Sequence, residues 1–320
     1  MLTVFKVVRI KNLLIVAATM YLMRYCLIQP LLETKGLSIQ LDHFSFLLLS
    51  LATVFITAGG YVINDYFDTK TDLVNRPQTV IVGRSLSRRS AIILHSGLNV
   101  LGVLMGSIVS FKVGKPAFSI IFILISGLLW FYSTTYKRQF LLGNLIVAAL
   151  TGMVPLVAVL FELPKVYSVY WEMIARFNLS IGVVTYWVGG YALFAFLLTL
   201  VREIIKDIED FEGDQAYGRN TLPVFLGKKA AKSIAAAILL FTLLALTYLF
   251  GAHLNYLPTG KFDIITLIYL IVCLVIPIFI LLIILLTADK KEDYHKASRL
   301  NKLIMLSGLL YTIVFRFFII

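Results

Sequence analysis

Cysteine and histidine are scarce in this 320-residue chain, and their scarcity excludes two common kinds of site. The two cysteines, Cys26 and Cys273, lie inside apolar segments, where a free cysteine behaves as a small hydrophobic residue. Two cysteines are also too few for the disulfide framework of a small secreted domain. The four histidines are spread along the chain and form no cluster with metal-ligand spacing. We therefore expect neither a disulfide scaffold nor a Cys/His metal centre.

Charged residues are also few, and this shortage indicates the class of protein. They make up 14% of the chain against 60% hydrophobic residues, whereas soluble domains carry about 25% charged residues. A hydrocarbon core about 30 Å thick requires about 20 apolar residues per helix. Such segments occur at 12–32, 43–64, 91–111, 117–135, 142–161, 180–201, 231–251, 262–287 and 300–318. The sequence predicts an all-α polytopic membrane protein with nine transmembrane helices, in which residues 1–320 form a single domain.

The basic residues are distributed unevenly between the two sets of alternate loops. The N-terminus and the connections that follow the second, fourth, sixth and eighth segments hold 21 of the 29 lysines and arginines. The positive-inside rule places those segments, and the N-terminus, in the cytoplasm, and the odd helix count places the C-terminus outside. The first segment follows Lys6, Arg9 and Lys11, but it is longer than a signal-peptide core and lacks a clear cleavage site, so we expect a retained helix. In a bacterium or archaeon the membrane would be the plasma membrane. The net charge of +12 then reflects topology, and nucleic-acid binding is not expected.

The few acidic residues concentrate in two stretches with one spacing, D-x-x-D-x-x-x-D. Eight of the 17 lie there, and a ninth, Glu203, lies one helical turn before Asp207. The first stretch, NDYFDTKTD, contains Asp65, Asp68 and Asp72, and the second, KDIEDFEGD, contains Asp207, Asp210 and Asp214. On a helix these offsets place three carboxylates within an arc of roughly 60°. Because like charges on one face repel one another, we expect a divalent, oxygen-preferring cation between them.

This arrangement predicts a chemistry if the two acidic faces meet across a cytoplasmic cavity. Mg²⁺ binds one or two carboxylates together with substrate phosphate oxygens, so the missing ligands indicate a diphosphate. Basic residues near the acidic stretches complete its neutralisation, namely Arg9, Arg76, Lys137, Arg138 and Lys206. Metal-bound diphosphate is a good leaving group, and its departure from an allylic carbon leaves a carbocation. Aromatic walls stabilise such a cation and exclude water.

The chain contains NDYFDTKTD followed by NRP, and later KDIEDFEGDQAYGRNTLP. These two segments resemble the two aspartate-rich signatures of the UbiA superfamily of intramembrane prenyltransferases. The resemblance extends to Arg9 and Asn12 before the first helix, to YSTTYKR, and to Gly143-Asn144 before the fifth. It implies a helical bundle around a central chamber, with an active site under a cytoplasmic cap. The implied reaction is Mg²⁺-dependent transfer of a prenyl group from a polyprenyl diphosphate to a lipophilic acceptor.

The resemblance also implies roles for individual residues. Catalysis through Mg²⁺ and diphosphate is assigned to Asp65, Asp68, Asp207 and Asp210. Metal binding is assigned to these four and to Asp72 and Asp214. Substrate binding is assigned to Asn64, Arg9, Asn12, Arg76, Tyr136, Lys137, Arg138 and Lys206. No obligate protein partner is expected.

The acceptor is less well specified than the donor. The form REIIKDIEDFEGD…GRNTLP resembles most the branch that alkylates geranylgeranylglyceryl phosphate, with geranylgeranyl diphosphate as donor. Relatives often carry a second Arg-Pro after NRP, whereas this chain has Gln78 to Gly83 there, so an aromatic quinone precursor or a haem- or chlorin-type acceptor stays open. A cation-coupled transporter and an alcohol phosphotransferase are further alternatives with Asp-rich metal sites.

Overall fold

The computed structural model describes residues 2–75, 77–254 and 262–319. Within these ranges the chain is helical apart from turns, loops and an isolated β-bridge between Val82 and Leu86. Nine of the described helices are long and apolar enough to cross a membrane. The predicted all-α, nine-span architecture is therefore confirmed, and the chain is an integral membrane protein.

We number the nine spans α1 to α9. They are α1 Ile10–Glu33, α2 His43–Asn75, α3 Arg88–Lys112, α4 Pro116–Arg138, α5 Leu142–Arg176, α6 Gly182–Glu209, α7 Lys228–Ala252, α8 Ile264–Thr287 and α9 Lys291–Phe318. Two short helices, Phe211–Ala216 and Leu222–Leu226, connect α6 to α7. Together with residues 77–86 between α2 and α3, they form the cap.

Local capping sets where several spans begin. The carboxylate of Asp42 accepts hydrogen bonds from the backbone N–H of Ser45 at 2.8 Å and from its hydroxyl at 2.6 Å. These bonds lower the pKa of Asp42, because they stabilise its charged form. The hydroxyl of Ser87 accepts from the N–H of Ser90 at 3.0 Å, just before α3. Both contacts satisfy N–H groups that a helix start leaves without a partner.

Three spans continue well past the ends that their apolar segments predicted. The helix α2 continues to Asn75, past the predicted end at residue 64, and α6 continues to Glu209. Neither proline nor glycine occurs between Asn64 and Pro77, so the acidic stretch of α2 stays helical beyond the apolar segment. The helix α5 extends to Arg176, past the predicted end at residue 161, with non-helical dihedral angles at Tyr170. The first acidic stretch is therefore an extension of a membrane span, and it faces the short helices of the cap.

Close helix packing positions the two ends that carry acidic residues. The helix α5 passes α6 at Gly152, where an added Cβ would lie 2.9 Å from the carbonyl oxygen of Ala192. Small residues allow this approach between membrane helices. The side chain of Asn75, at the end of α2, donates to the carbonyl of Asp210 at 3.2 Å and accepts from the N–H of Gly213 at 3.1 Å. The end of α2 is thereby joined to the cap.

A buried ion pair lies toward the end of the bundle remote from the acidic stretches. The side chains of Arg24 and Glu162 are 1% and 0% exposed, and their Nε and Oε2 atoms are 3.4 Å apart. Arg24 also donates to the carbonyl of Leu41, and its guanidinium lies 4.3 Å from the ring centre of Phe46. Glu162 accepts from the N–H groups of Gln40 and Leu41, the latter at 2.8 Å. The pair thus links α1 and α5 to the loop before α2.

We expect Glu162→Ala to lower the free energy of unfolding by about 3–5 kcal/mol, because it leaves the Arg24 charge and two backbone N–H groups buried without a partner. Glu33→Ala removes the partner of Arg316 at 2.6 Å, but the Glu33 side chain is 42% exposed, so its loss should cost about 0–1 kcal/mol. Thermal unfolding of both variants in detergent measures the difference. Equal melting temperatures would contradict the structural role of the pair.

Candidate active site

The two acidic stretches contribute to one polar cavity of about 80 Å³. Its carboxylates come from α2, from α6 and from the cap: Asp68, Asp72, Glu203, Asp207, Asp210 and Asp214. Three cationic side chains lie in the same wall, those of Lys137, Lys206 and Arg219. Six acidic and three basic groups leave a formal charge of −3 in a small space. Such an excess favours the binding of a cation.

Asp68 is the centre of the ion pairs in this cavity. Its Oδ1 lies 2.6 Å from the Nζ of Lys137 and 2.7 Å from Nη2 of Arg219. Arg219 also donates to the hydroxyl of Thr71 at 2.7 Å and lies 3.3 Å from the carboxylate of Asp214. The end of α2, the end of α4 and the cap therefore meet at one carboxylate.

The second acidic stretch is held by different partners. The carboxylate of Asp207 accepts a hydrogen bond of 2.7 Å from the side-chain amide of Asn144, at the start of α5. Asp214 is buried, and burial raises its pKa to about 6, an effect that the nearby charge of Arg219 opposes. Asp72 and Asp210 also line the cavity. In the described part of the chain, no three His, Cys, Asp or Glu side chains are gathered at metal-binding spacing.

Asp65 lies apart from the other predicted metal ligands. It does not line the polar cavity, and its Oδ1 lies 2.7 Å from Nη2 of Arg9. The guanidinium of Arg9 lies 4.9 Å from the ring centre of Tyr61, and Arg9 adopts a left-handed backbone conformation with φ of 54°. The first turn of α1 is therefore joined to α2 through Asp65.

The predicted substrate-binding residues divide between two regions. Asn64 and Lys206 line the polar cavity, and Lys137 donates to Asn64 at 3.3 Å. Arg9 and Asn12 line a larger chamber described below. Tyr136 and Arg138 flank Lys137 in a short 3₁₀ turn, and among the described residues they belong to the lining of neither cavity. Arg76 lies outside the described residues.

Several residues of the site were not assigned roles from the sequence. They are Arg219, Asn144 and Thr71. Arg219 belongs to the GRNTLP segment and Asn144 to the Gly143-Asn144 pair, so both lie within the segments that carry the family resemblance. Their polar character inside or beside membrane spans was the available signal, because buried polar groups require partners.

The larger chamber has a volume of about 330 Å³ and mostly apolar walls. It is lined by spans including α1, α2, α4, α5, α6 and α9. Aromatic rings of Tyr61, Phe122, Tyr191 and Phe194 lie in its wall. The chamber shares four lining residues with the polar cavity: Asn64, Tyr132, Glu203 and Lys206. The two cavities are therefore contiguous, with a charged end and an apolar body.

This fold, with an acidic cavity beside an apolar intramembrane chamber, is typical of membrane-embedded transferases that act on amphiphilic substrates. The model of the UbiA prenyltransferase family matches residues 35–307, and the chain belongs to this family. It is therefore an enzyme, a prenyltransferase, as its two acidic stretches indicated. The transporter and phosphotransferase alternatives are not favoured.

Similar proteins agree with this assignment. A digeranylgeranylglyceryl phosphate synthase of Methanopyrus kandleri is 35% identical over 257 residues, which cover 80% of this chain and 81% of the relative. One from Thermococcus sibiricus is 32% identical over 240 residues, covering 73% and 77%. A solved structure concerned with digeranylgeranylglyceryl phosphate synthase in membranes matches with a TM-score of 0.63, 25% identity and coverage of 98% and 96%. A UbiA homologue from Archaeoglobus fulgidus bound to DMAPP and Mg²⁺ has the same fold, with a TM-score of 0.55, 16% identity and coverage of 98% and 99%.

We expect Arg219→Gln to loosen the cap, because it removes the charged contacts to Asp68 and Asp214. Hydrogen bonds to charged groups contribute about 1.5–3 kcal/mol. Amide hydrogen exchange in Phe211–Ala216 and Leu222–Leu226 should accelerate about tenfold or more. Lys229→Gln removes an exposed charge from the end of the same segment and is the matched control. Unchanged exchange in the Arg219 variant would show that these ion pairs do not hold the cap.

Proposed function

We propose that this chain transfers the geranylgeranyl group of geranylgeranyl diphosphate to geranylgeranylglyceryl phosphate and releases diphosphate. The observation that carries the proposal is the contiguity of a small, acidic cavity with a large apolar chamber. An allylic diphosphate has the same division, with a charged head and a long apolar chain. The names of the relatives, which are 32% and 35% identical, support the identity of donor and acceptor.

The acidic cavity suits Mg²⁺ by charge and by donor chemistry. Carboxylate and amide oxygens surround it, and its formal charge of −3 opposes the binding of a bare diphosphate. Asp68 and Asp72 on one side and Asp207, Asp210 and Asp214 on the other would hold the metal ions. Mg²⁺ held by these carboxylates would supply positive charge that stabilises the departing diphosphate. Asp65 stays in this proposed ligand set, and its present contact is the ion pair with Arg9.

The residues of the chain have separate tasks in the transfer step. Lys137, Arg219 and Lys206 neutralise the diphosphate as the bond from its oxygen to the allylic carbon breaks and the electron pair leaves with it. The hydroxyl oxygen of the acceptor forms the new bond to that carbon, and its proton is released with the diphosphate. The ring of Tyr132, shared by both cavities, lies where positive charge develops and has an attractive face for it. Apolar walls exclude water that would otherwise take the acceptor's place.

The proposal includes the position of the enzyme in the membrane. The bias of lysine and arginine supports an acidic cavity on the cytoplasmic side, with the N-terminus in the cytoplasm and the C-terminus outside. Residues 1–320 act as one domain, with the prenyl diphosphate, the lipid acceptor and the bilayer as partners.

We expect purified protein to form digeranylgeranylglyceryl phosphate from the two proposed substrates only when Mg²⁺ is present, and EDTA to abolish the product. Asp207→Asn and Asp68→Asn should reduce kcat/KM by about 100-fold or more, because each removes a carboxylate that would hold the Mg²⁺ needed to stabilise the leaving group. Asp289→Asn is the control, since the side chain of Asp289 is 94% exposed and does not belong to the described lining of the cavity. Mass spectrometry identifies the product.

Two outcomes of this experiment would contradict the proposal. Full activity of both cavity variants, or of the wild type in excess EDTA, would remove the acidic cavity from the reaction. Hydroxybenzoate and naphthoate are offered as further acceptors in the same assay. Transfer to either of them, with none to the glyceryl phosphate lipid, would assign the enzyme to the quinone-precursor branch instead.

We expect a cysteine at position 115 to react with a membrane-impermeant maleimide in intact, right-side-out vesicles, and a cysteine at 229 to react only after permeabilisation. Lys115 and Lys229 are both exposed and lie on opposite sides in the proposed topology. Cys26→Ser and Cys273→Ser remove the background. The reverse labelling pattern would invert the proposed orientation.

A further inference from the structure

The chamber wall carries more positive charge than the proposed diphosphate site, which uses Lys206, requires. Its charged lining residues are Arg9, Arg202, Lys206, Lys302 and the single carboxylate of Glu203, a formal charge of +3 among the described lining residues. The remaining walls are mostly apolar. Charges in such surroundings are costly unless an opposite charge balances them. This end of the chamber therefore favours an anion, whereas the neighbouring cavity favours a cation.

The contacts of these cations show which are balanced. Arg202 and Lys206 share Glu203, at 3.0 and 3.4 Å. Arg9 is paired with Asp65. Lys302 donates to the neutral side-chain oxygen of Asn12 at 2.6 Å. Its contact among the described residues is thus with an amide that carries no charge.

The guanidinium of Arg202 has an N–H donor that no described residue accepts. Its Nη1 atom contacts Glu203, whereas its Nε is buried and has no hydrogen-bond partner in the part of the chain that the structure describes. Buried N–H groups of this kind ordinarily have partners. A guanidinium with a remaining donor beside an ammonium group is a suitable pair for a phosphate, because arginine offers directed donors and lysine a compact charge.

The position of Lys302 separates this pair from the diphosphate site. Lys302 belongs to α9 and Asn12 to α1, and the described lining of the acidic cavity includes no residue from either span. The two cavities meet at Asn64, Tyr132, Glu203 and Lys206. Two regions of opposite formal charge thus lie on either side of one junction.

We propose that Lys302 and Arg202, supported by Asn12, bind the phosphate of the acceptor lipid and so determine specificity for a phosphorylated acceptor. The inference rests on the proposed function and adds the residues that recognise the acceptor. A phosphate held on the α1 and α9 side directs the acceptor hydroxyl toward the junction, where the allylic carbon of the donor lies. A neutral glyceryl ether lacks this contact.

The test measures KM for each substrate separately, with full-length protein in nanodiscs, geranylgeranyl diphosphate and geranylgeranylglyceryl phosphate. Lys302→Gln and Arg202→Gln should each raise the acceptor KM about tenfold or more, the effect of losing one charge-assisted hydrogen bond. The donor KM should change less than about twofold in the Lys302 variant. Lys302→Arg should restore most of the acceptor affinity.

A second comparison uses the dephosphorylated acceptor. The wild type should have a higher kcat/KM for the phosphorylated than for the dephosphorylated acceptor. The ratio of the two values should be about tenfold smaller in Lys302→Gln. Lys296→Gln is the matched control on the same helix, because Lys296 is 70% exposed. It should leave both KM values and the preference unchanged.

Three results would overturn the inference. Unchanged acceptor KM in both glutamine variants would exclude the pair from acceptor binding. An increase in donor KM alone would assign these cations to the diphosphate. Equal wild-type activity on phosphorylated and dephosphorylated acceptors would show that the phosphate is not recognised. In all three cases the wild type still transfers the prenyl group, so the proposed function is not contradicted. The proposed function is refuted by a separate result, which is that the wild type transfers nothing to the glyceryl lipid.

Discussion

The ion pairs of Asp68 determine how the parts of the site are assembled. Lys137 approaches this carboxylate from the end of α4 and Arg219 from the cap, at 2.6 and 2.7 Å. Neither neighbour is close to Asp68 in sequence, since Arg219 lies 151 residues away. A single partly buried carboxylate thus joins the cap to the ends of two spans. Removing one partner of such a cluster leaves the other charges without balance, which makes the cluster sensitive to each of its members.

The site lies where membrane spans are longer than the membrane requires. A helix of about 20 residues crosses the hydrocarbon core, whereas α2 has 33 residues and α6 has 28. The additional turns carry the acidic stretches on rigid helices that continue from the apolar chamber. The charged head and the apolar chain of one substrate can therefore be held by different parts of the same helices. Because the same helices carry both an apolar and a charged surface, a reaction at the charged head of a membrane substrate can take place at the edge of the bilayer.

The sequence was sufficient for the features that repeat along the chain. Apolar segments of bilayer length predicted all nine spans, and the two acidic stretches predicted the family. The ends of α2 and α5 were predicted too early, because hydropathy reports where apolar residues stop, while hydrogen bonding lets a helix continue until a breaker. Glu162 shows this most clearly: its charge suggested the end of a span, yet it is buried against Arg24 within α5.

Contacts between distant residues were not predictable in the same way. The pairing of Asp65 with Arg9 removes one aspartate from the cavity wall, although its spacing is that of a metal ligand. Asn144 reaches Asp207 across 63 positions, and Lys302 reaches Asn12 across 290. Spacing along one helix shows which side chains share a face. It does not show what stands opposite that face, which depends on how the nine spans pack.

The junction between α2 and the cap restricts how this sequence can change over time. The amide group of Asn75 occupies the position that a Cβ on Gly213 would take, so any side chain at 213 displaces it. A larger residue at 213 is therefore tolerated only when residue 75 becomes smaller or withdraws. Positions 75 and 213 are expected to covary among homologous chains, and their joint substitution would mark lineages in which the end of α2 and the cap are joined differently.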